Sequence, residues 1–246
     1  NGLVNASFNY KIDEHQKLSL SNVFTSFDRK QENLLNPEEN NYNPPRKSFK
    51  NVLGIGYQIE QKDWSTTLFA KNYNQVNNFI QSYRESGSND PIEIERYNQL
   101  NNFGWGIAGT YFMNDRLQLK ASYEKSYRLP TGNELFGDGN ITLEGNTDLK
   151  PESSHNYNFG IAYSFILSND HRFHFDGTLF YRDAKDFIRP RLNTNQVLQT
   201  MENLQDVTNL GGELQINYTN KNFLAGMNFT YENLRNNTKY VEGTES

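Results

Sequence analysis

The chain has 246 residues with a net charge of -5 and a pI near 5.5, and 35% of its residues are hydrophobic. It has no cysteine, which excludes disulfides and thiolate metal sites, and it has no basic stripe of the kind that binds nucleic acid. No stretch approaches the ~20 consecutive apolar residues of a membrane-spanning helix, which excludes a helical membrane protein but not a membrane barrel.

Aromatic residues make up 14% of the chain and are spread along it, which argues against disorder. Most lie where a bulky apolar residue alternates with a small or polar one, and this period of two is typical of β-strands with two different faces. Val4, Phe8 and Tyr10 begin the pattern, and Phe159 and Ile161 belong to a later strand. In chain order the predicted strands are 3–10, 17–27, 48–59, 64–83, 97–112, 117–127, 154–165, 172–182, 207–218 and 223–235.

The predicted connections alternate between short and long. The short ones are 11–16, 60–63, 113–116, 166–171 and 219–222, and they are rich in the Asn, Asp and Lys that tight hairpins use. The long ones are 28–47, 84–96, 128–153 and 183–206. Short turns at one end and long loops at the other are typical of bacterial outer-membrane barrels. A strand of about ten residues, tilted by ~45°, crosses roughly 23 Å, which suits such a membrane.

Aromatic residues near the strand ends are predicted to form an interfacial girdle in a barrel of this kind. These residues are Tyr10, Trp64, Tyr111, Tyr163 and Tyr218. A soluble antiparallel sheet with the same bulky residues turned inward remains an alternative, because alternation alone does not distinguish lipid from a dry core.

Two linked motifs lie in residues 123–152. The first is Arg128, Leu129, Pro130, Thr131, Glu134 and Leu135, and the second is Gly145, Asn146, Leu149, Lys150, Pro151 and Glu152. The pair resembles the barrel of TonB-dependent receptors, in which a strand ends in aromatic-Arg-x-Pro-Thr-x-x-Glu-Leu and a loop leads to Gly-Asn-Pro-x-Leu-Lys-Pro-Glu. Thr147 stands where the family usually has Pro, which predicts a less rigid turn. The run 209–214 resembles the Gly-x-Glu-Leu start of a later strand.

The resemblance implies an all-β, antiparallel transmembrane barrel in the bacterial outer membrane, of which residues 1–246 form a part. Family members close a barrel of about 22 strands around an N-terminal plug domain that contacts TonB. About ten strands and no plug are recognisable here, so we expect a piece of a larger receptor. The implied partners are outer-membrane lipid, an extracellular small ligand or glycan, and TonB only through the plug.

The resemblance also implies import of a ferric siderophore, haem, cobalamin or glycan, without catalysis, cofactor or metal site. If the long loops touch the ligand, their aromatic and arginine side chains are the candidates, because rings stack on flat faces and guanidinium groups pair with anions. These candidates are Tyr42, Arg46, Tyr83, Phe136, Phe187 and Arg191. The alternative is that they pack within the loops.

The charged motif residues permit two interpretations of their own. Arg128, Glu134, Lys150 and Glu152 either form ion pairs that brace the loop base or are solvated charges that contribute little.

Other patterns have structural explanations. Residues 104–109 match the glycine pattern of dinucleotide-binding loops, but they lie inside a predicted strand and precede a short turn and another strand. His171 and His174 are three apart in extended chain, so they face opposite ways and do not share a metal easily. Two further functions stay open: a ten-stranded outer-membrane protease with Asp and His above the rim, and a soluble β-rich glycan-binding module.

Overall fold

The computed structural model describes residues 1–29, 34–35, 46–83, 92–138, 143–168, 171–192 and 198–238. Every described strand belongs to one antiparallel sheet, apart from one short parallel pairing. The elements are β1 (Gly2–Lys11), β2 (Gln16–Arg29), β3 (Arg46–Glu60), β4 (Trp64–Tyr83), β5 (Ile92–Asn114), β6 (Leu117–Arg128), α1 (Gly132–Phe136), β7 (Leu143–Glu144), β8 (Glu152–Ser168), β9 (His171–Leu192), β10 (Gln199–Thr219) and β11 (Leu224–Asn236).

The strands follow one another across the sheet in chain order, except β7. The path runs β1-β2-β3-β4-β5-β6-β8-β9-β10-β11, and β7 pairs in parallel with the start of β10. All ten predicted strands are present, and the prediction of an all-β antiparallel fold is confirmed. No helix of the described residues is long and apolar enough to cross a membrane.

Three strands extend five or more residues further on the long-loop side than the sequence predicts. β5, β9 and β10 have 23, 22 and 21 residues, whereas β4 has the predicted bounds, 64–83. The prediction that 92–96, 183–192 and 199–206 are loop is therefore wrong. These parts pair with neighbouring strands as long hairpins that extend beyond the membrane-crossing region. Because their backbone amides and carbonyls are hydrogen-bonded to each other in water, such strands need no alternation of apolar and polar side chains. Arg, Glu and even Pro190 are thus tolerated there.

One face of the sheet is apolar and uncovered. Phe159 is 52% exposed, Ile161 45% and Tyr163 40%, although a soluble sandwich would bury them. No second sheet packs on this face in the described part of the chain. The alternation therefore presents bulky side chains outward, as a lipid-facing wall requires.

Aromatic rings form two rows on this outward face. The row nearer the long loops consists of Trp105, Tyr123, Tyr157 and Tyr181, on four successive strands with ring centroids 5.1–6.1 Å apart. The row nearer the short turns contains Phe165, Phe173, Tyr218 and Phe223. On β8, Tyr157 and Phe165 are separated by about 26 Å along the strand at ~3.3 Å per residue. Tilted by ~45°, this length crosses roughly 19 Å, so the two rows lie within the apolar band of roughly 25 Å that surrounds outer-membrane barrels.

The opposite face, called the inner face below, is polar and rich in small residues. Two ion pairs on it reach across a whole strand: Lys71 to Glu124 at 2.8 Å over β5, and Lys120 to Asp176 at 3.0 Å over β8. Such a pair spans two strand spacings, about 10 Å, so the strand in between must carry no large side chain. Glycines on β5 and on β8 at Gly160 provide this space.

Glycines on the inner face also accept aromatic rings from the neighbouring strand. Phe69 covers Gly106 within the dinucleotide-like run, and Phe180 covers Gly211. The run lies inside β5, and β6 rather than a helix follows it. Its glycines are therefore explained by close approach between strands.

We expect Gly211→Ala to lower the free energy of unfolding of the full-length protein by about 1–3 kcal/mol, because overpacking forces neighbours to move. A Cβ there would overlap the Phe180 ring and lie 2.5 Å from the Tyr231 carbonyl oxygen. Gly160→Ala is the matched control on the same face, since its Cβ would meet nothing closer than 3.5 Å. Urea unfolding in lipid vesicles measures both, and equal stabilities would contradict the packing described.

Candidate functional site at the long-loop rim

Residues 129–151, called the rim segment, connect β6 to β8, and their described parts, 129–138 and 143–151, lie against the inner face. On one side the Lys50 ammonium and the Gln75 amide donate to the carbonyls of Leu129 and Pro130, at 3.3 and 3.1 Å. On the other side the rim segment reaches β10, six strand spacings from β3 along the sheet. β2 and β9 are also six spacings apart and would lie about 29 Å from each other in a flat sheet. Phe136 contacts both Phe27 on β2 and the buried group that includes Ile188 on β9, so the sheet curves and the rim segment crosses its concave side.

The first part of the rim segment folds into the single turn α1. Thr131 caps it, because its hydroxyl accepts from the Glu134 N–H while its own N–H donates to the Glu134 carboxylate at 2.7 Å. The Arg128 guanidinium donates to both Glu134 carboxylate oxygens at 3.0 Å. The carboxylate thus ties the end of β6 to the start of α1.

Arg128 also bonds a second, deeply buried carboxylate. Its other nitrogen donates to Glu152 at 2.8 Å, and the Ile188 N–H donates to the same oxygen at 2.7 Å. The side chain of Glu152 is only 3% exposed, with Arg182 3.5 Å away. Burial acts to lower the pKa of Arg128, but the two carboxylates outweigh it and raise that pKa above its ordinary value. Arg128 therefore stays charged and joins three strands to α1.

The structure thus brings together three of the four charged motif residues. Lys150 takes part through its backbone instead, because its N–H donates to the Asn203 side chain at 2.9 Å and its carbonyl accepts from it at 3.1 Å. Its exposed side chain meets no carboxylate in the described ranges. The interpretation that Lys150 joins the ion pairs is wrong, since the Asn203 contact fixes its backbone and leaves the side chain in solvent.

An apolar cluster completes the rim segment. Leu135, Leu149 and Ile188 are buried together, with Phe136 and Met201 against them. The motif residues therefore supply both the charged and the apolar contacts of this cluster.

The second motif sets the course of the chain through this cluster. A Cβ at Gly145 would overlap the backbones of Leu135 and Gly137, which explains glycine at this position. Asn146 accepts the Asp148 N–H at 2.9 Å, so an Asx turn defines the loop where Thr147 replaces Pro.

The candidate ligand-contacting residues fall into separate places. Phe136 packs between Phe27 and Phe79, with ring centroids 6.0 and 6.1 Å away. Arg46 starts β3, where the alternation places it on the inner face with Ser48 and Lys50. Tyr42 lies outside the described residues, and Tyr83 ends β4 with a side chain that is also outside them.

Phe187 and Arg191 lie on the other side of β9. The side chain of Ile188 faces the cluster, so the residues at 187, 189 and 191 face away from it. The Glu202 carboxylate forms ion pairs with Arg189 at 2.9 Å and with Arg191 at 3.6 Å. The structure therefore does not group these two candidates with Arg46 and Phe136.

Arg29 was missed by the sequence analysis. It ends β2, directly opposite Arg46, and donates to the carbonyls of Phe136 and Gly137 at 3.3 and 2.7 Å and to Asn133 at 2.8 Å. Burial and the facing Arg46 lower the pKa of Arg29, against a smaller opposing effect of Asp138. Continuing the period of two beyond residue 27 would have placed Arg29 on the inner face.

No group of three or more His, Asp or Glu that would hold a metal occurs among the described residues. His171 bonds the Tyr218 hydroxyl and His174 the Ser164 hydroxyl, so the two imidazoles have separate neighbours.

A family model described as "TonB dependent receptor-like, beta-barrel" matches residues 5–245. A hemin receptor of Yersinia pestis is 27% identical over 136 residues, which is 49% of this chain and 20% of that protein. The family consists of transport receptors of the outer membrane, so the protease and the soluble glycan-binding module have no support.

Several solved structures share the fold. The hemophore receptor HasR of Serratia marcescens, solved with its hemophore and heme, matches 93% of this chain and 40% of its own, at a TM-score of 0.67 and 13% identity. The copper transporter OprC matches 95% and 38%, at 0.70 and 12%. The FrpB iron transporter of Neisseria meningitidis matches 93% and 34%, at 0.63 and 15%. The chain therefore spans about two fifths or less of these relatives, as part of a larger barrel.

We expect Arg128→Met to loosen the rim segment while the sheet stays folded, because buried Glu152 would keep only Arg182 as a cationic partner among the described residues. Arg128 is partly exposed, so the local cost should be about 1–3 kcal/mol, less than for a fully buried pair. Amide hydrogen exchange of residues 131–138 and 143–151 in the full-length protein should accelerate roughly tenfold or more.

Arg191→Met is the control for that measurement, since its ion pair is exposed and outside the cluster. Replacing Glu134 and Glu152 by Gln together with Arg128→Met should restore part of the protection. Unchanged exchange in Arg128→Met would contradict the bracing role.

Proposed function

Because the chain belongs to the TonB-dependent receptor β-barrel family, we propose that it supplies wall and extracellular loops of a receptor that imports haem or a ferric siderophore. The observation that carries the proposal is the rim segment fixed across the concave face of a wall whose other face is apolar. A wall of this kind separates lipid from a polar interior and holds loop residues at its mouth.

Three likenesses favour import of haem or a ferric siderophore over the other nutrients. The Yersinia pestis relative is called a hemin receptor, and HasR was solved with a heme-carrying partner. The Neisseria meningitidis relative is called an iron transporter. The whole receptor would take the ligand from outside and depend on TonB, reached through a plug domain in another part of the protein.

The proposed role is passive and not enzymatic. Several charged residues at the rim form ion pairs with one another: Arg128 pairs with Glu134 and Glu152, and Arg189 pairs with Glu202. These contacts hold loops in place. The wall would therefore act by positioning ligand contacts and excluding lipid.

The test expresses the full-length gene in a Gram-negative host that lacks its own iron receptors. Iron-limited growth is measured with haemin, ferric citrate, ferrichrome or cyanocobalamin, the last as a control that supplies no iron. We expect growth on at least one of the three iron compounds, and its loss in an otherwise identical strain without TonB. Growth on none of them, or growth that does not need TonB, would contradict the proposal.

A further inference from the structure

Arg29 and Arg46 face each other on the inner face of the rim. They are Cα partners in the β2–β3 ladder, and their side chains fall on the face that carries Phe27 and Ser48. Cβ atoms of directly opposed residues lie about 4.5–5.5 Å apart, and like charges in that position destabilise a sheet. The pair therefore costs stability at the place where the two strands end.

The two arginines differ in their partners. Arg29 is held by three acceptors of α1 and the residues beside it, all of them uncharged. Arg46 has no hydrogen bond or ion pair with the described residues. By contrast, Arg128, Arg182, Arg189 and Arg191 each have a carboxylate within 4.0 Å. Within the part of the chain that the structure describes, the Arg46 guanidinium therefore has unused donors, at a half-exposed position beside a second positive charge.

The surroundings of Arg46 add an aromatic side and a third cation. Its Cα partner on β4 is Phe79, whose ring packs against Phe136. Lys50 lies on the same face two inward positions further along β3, beyond Ser48, and among the described residues it donates only to the Leu129 carbonyl. A bidentate guanidinium beside aromatic rings suits a flat ligand with carboxylate groups, or another anionic chelate.

We propose that Arg46, supported by Arg29, binds an anionic group of the transported ligand, so that the receptor selects anionic iron compounds over uncharged ones. The inference rests on the proposed function and specifies its substrate class. The repulsion between the two arginines is relieved when an anion lies between them, so ligand binding recovers the stability that the empty pair lacks.

The test measures binding of haemin, ferric citrate, ferrichrome and cyanocobalamin to the full-length receptor in detergent. Haemin and ferric citrate carry carboxylates, whereas the ferrichrome complex is uncharged. We expect affinity for haemin or ferric citrate and none for the uncharged probes. Arg46→Gln should weaken that binding about ten- to hundredfold, as for loss of a hydrogen bond to a charged group. Arg46→Lys should retain part of it, because the ammonium is a point charge without the fork.

Lys47→Gln is the matched control, because Lys47 adjoins Arg46 but points to the opposite face, where it lies 3.8 Å from Asp28, and it should bind like the unmodified receptor. Arg46→Gln should be at least as heat-stable as the unmodified receptor, since it removes a like-charge contact. A loss of heat stability would show a structural ion pair and overturn the inference, as would unchanged affinity in Arg46→Gln.

The outcomes also separate this inference from the function it rests on. TonB-dependent growth on ferrichrome alone would leave the import function standing and overturn the selection for anions. Growth on no iron compound would overturn both.

Discussion

The absence of water in the bilayer is the constraint on which the rest of this structure depends. Each unpaired backbone amide or carbonyl in hydrocarbon costs several kcal/mol, so a strand that crosses lipid must be hydrogen-bonded along both edges. The continuous ladders from β1 to β11 meet this requirement within the sheet. Backbone pairing then leaves only the side chains to distinguish lipid from interior, and the period of two does so.

The two faces solve different problems. On the outward face, bulky residues such as Phe159 and Ile161 contact lipid. The aromatic row nearer the long loops, which includes Tyr123 and Tyr157, marks the level where the polar headgroups begin. On the inner face, glycines leave room for the ion pairs Lys71–Glu124 and Lys120–Asp176, each of which crosses one intervening strand. Above the membrane the rim segment is held by charged contacts in water, where Arg128 bonds Glu134 of α1 and Glu152 of β8.

The sequence predicted the parts of the fold that repeat and missed those that depend on distant contacts. Alternation located all ten long strands, because lipid and interior impose it on every residue of a crossing strand. It failed for 183–192 and 199–206, where pairing in water imposes no such pattern. The motif identified Arg128, Glu134 and Glu152, but nothing local indicated that Ile188 would bond Glu152 or that Asn203 would bond the backbone of Lys150. Arg29 was missed because β2 was predicted to end at residue 27, before its inward position could be assigned.

The central claim, that one face of the sheet contacts lipid, can be measured directly along β8. Since the described wall has no cysteine of its own, single cysteines at 157 to 163 in the full-length receptor can carry a nitroxide label in lipid vesicles. Collision rates with oxygen, which concentrates in lipid, and with a water-soluble nickel complex report the surroundings of each position. Labels at 157, 159, 161 and 163 should favour oxygen, and those at 158, 160 and 162 should not. Odd positions shielded from oxygen, or no alternation at all, would contradict the claim.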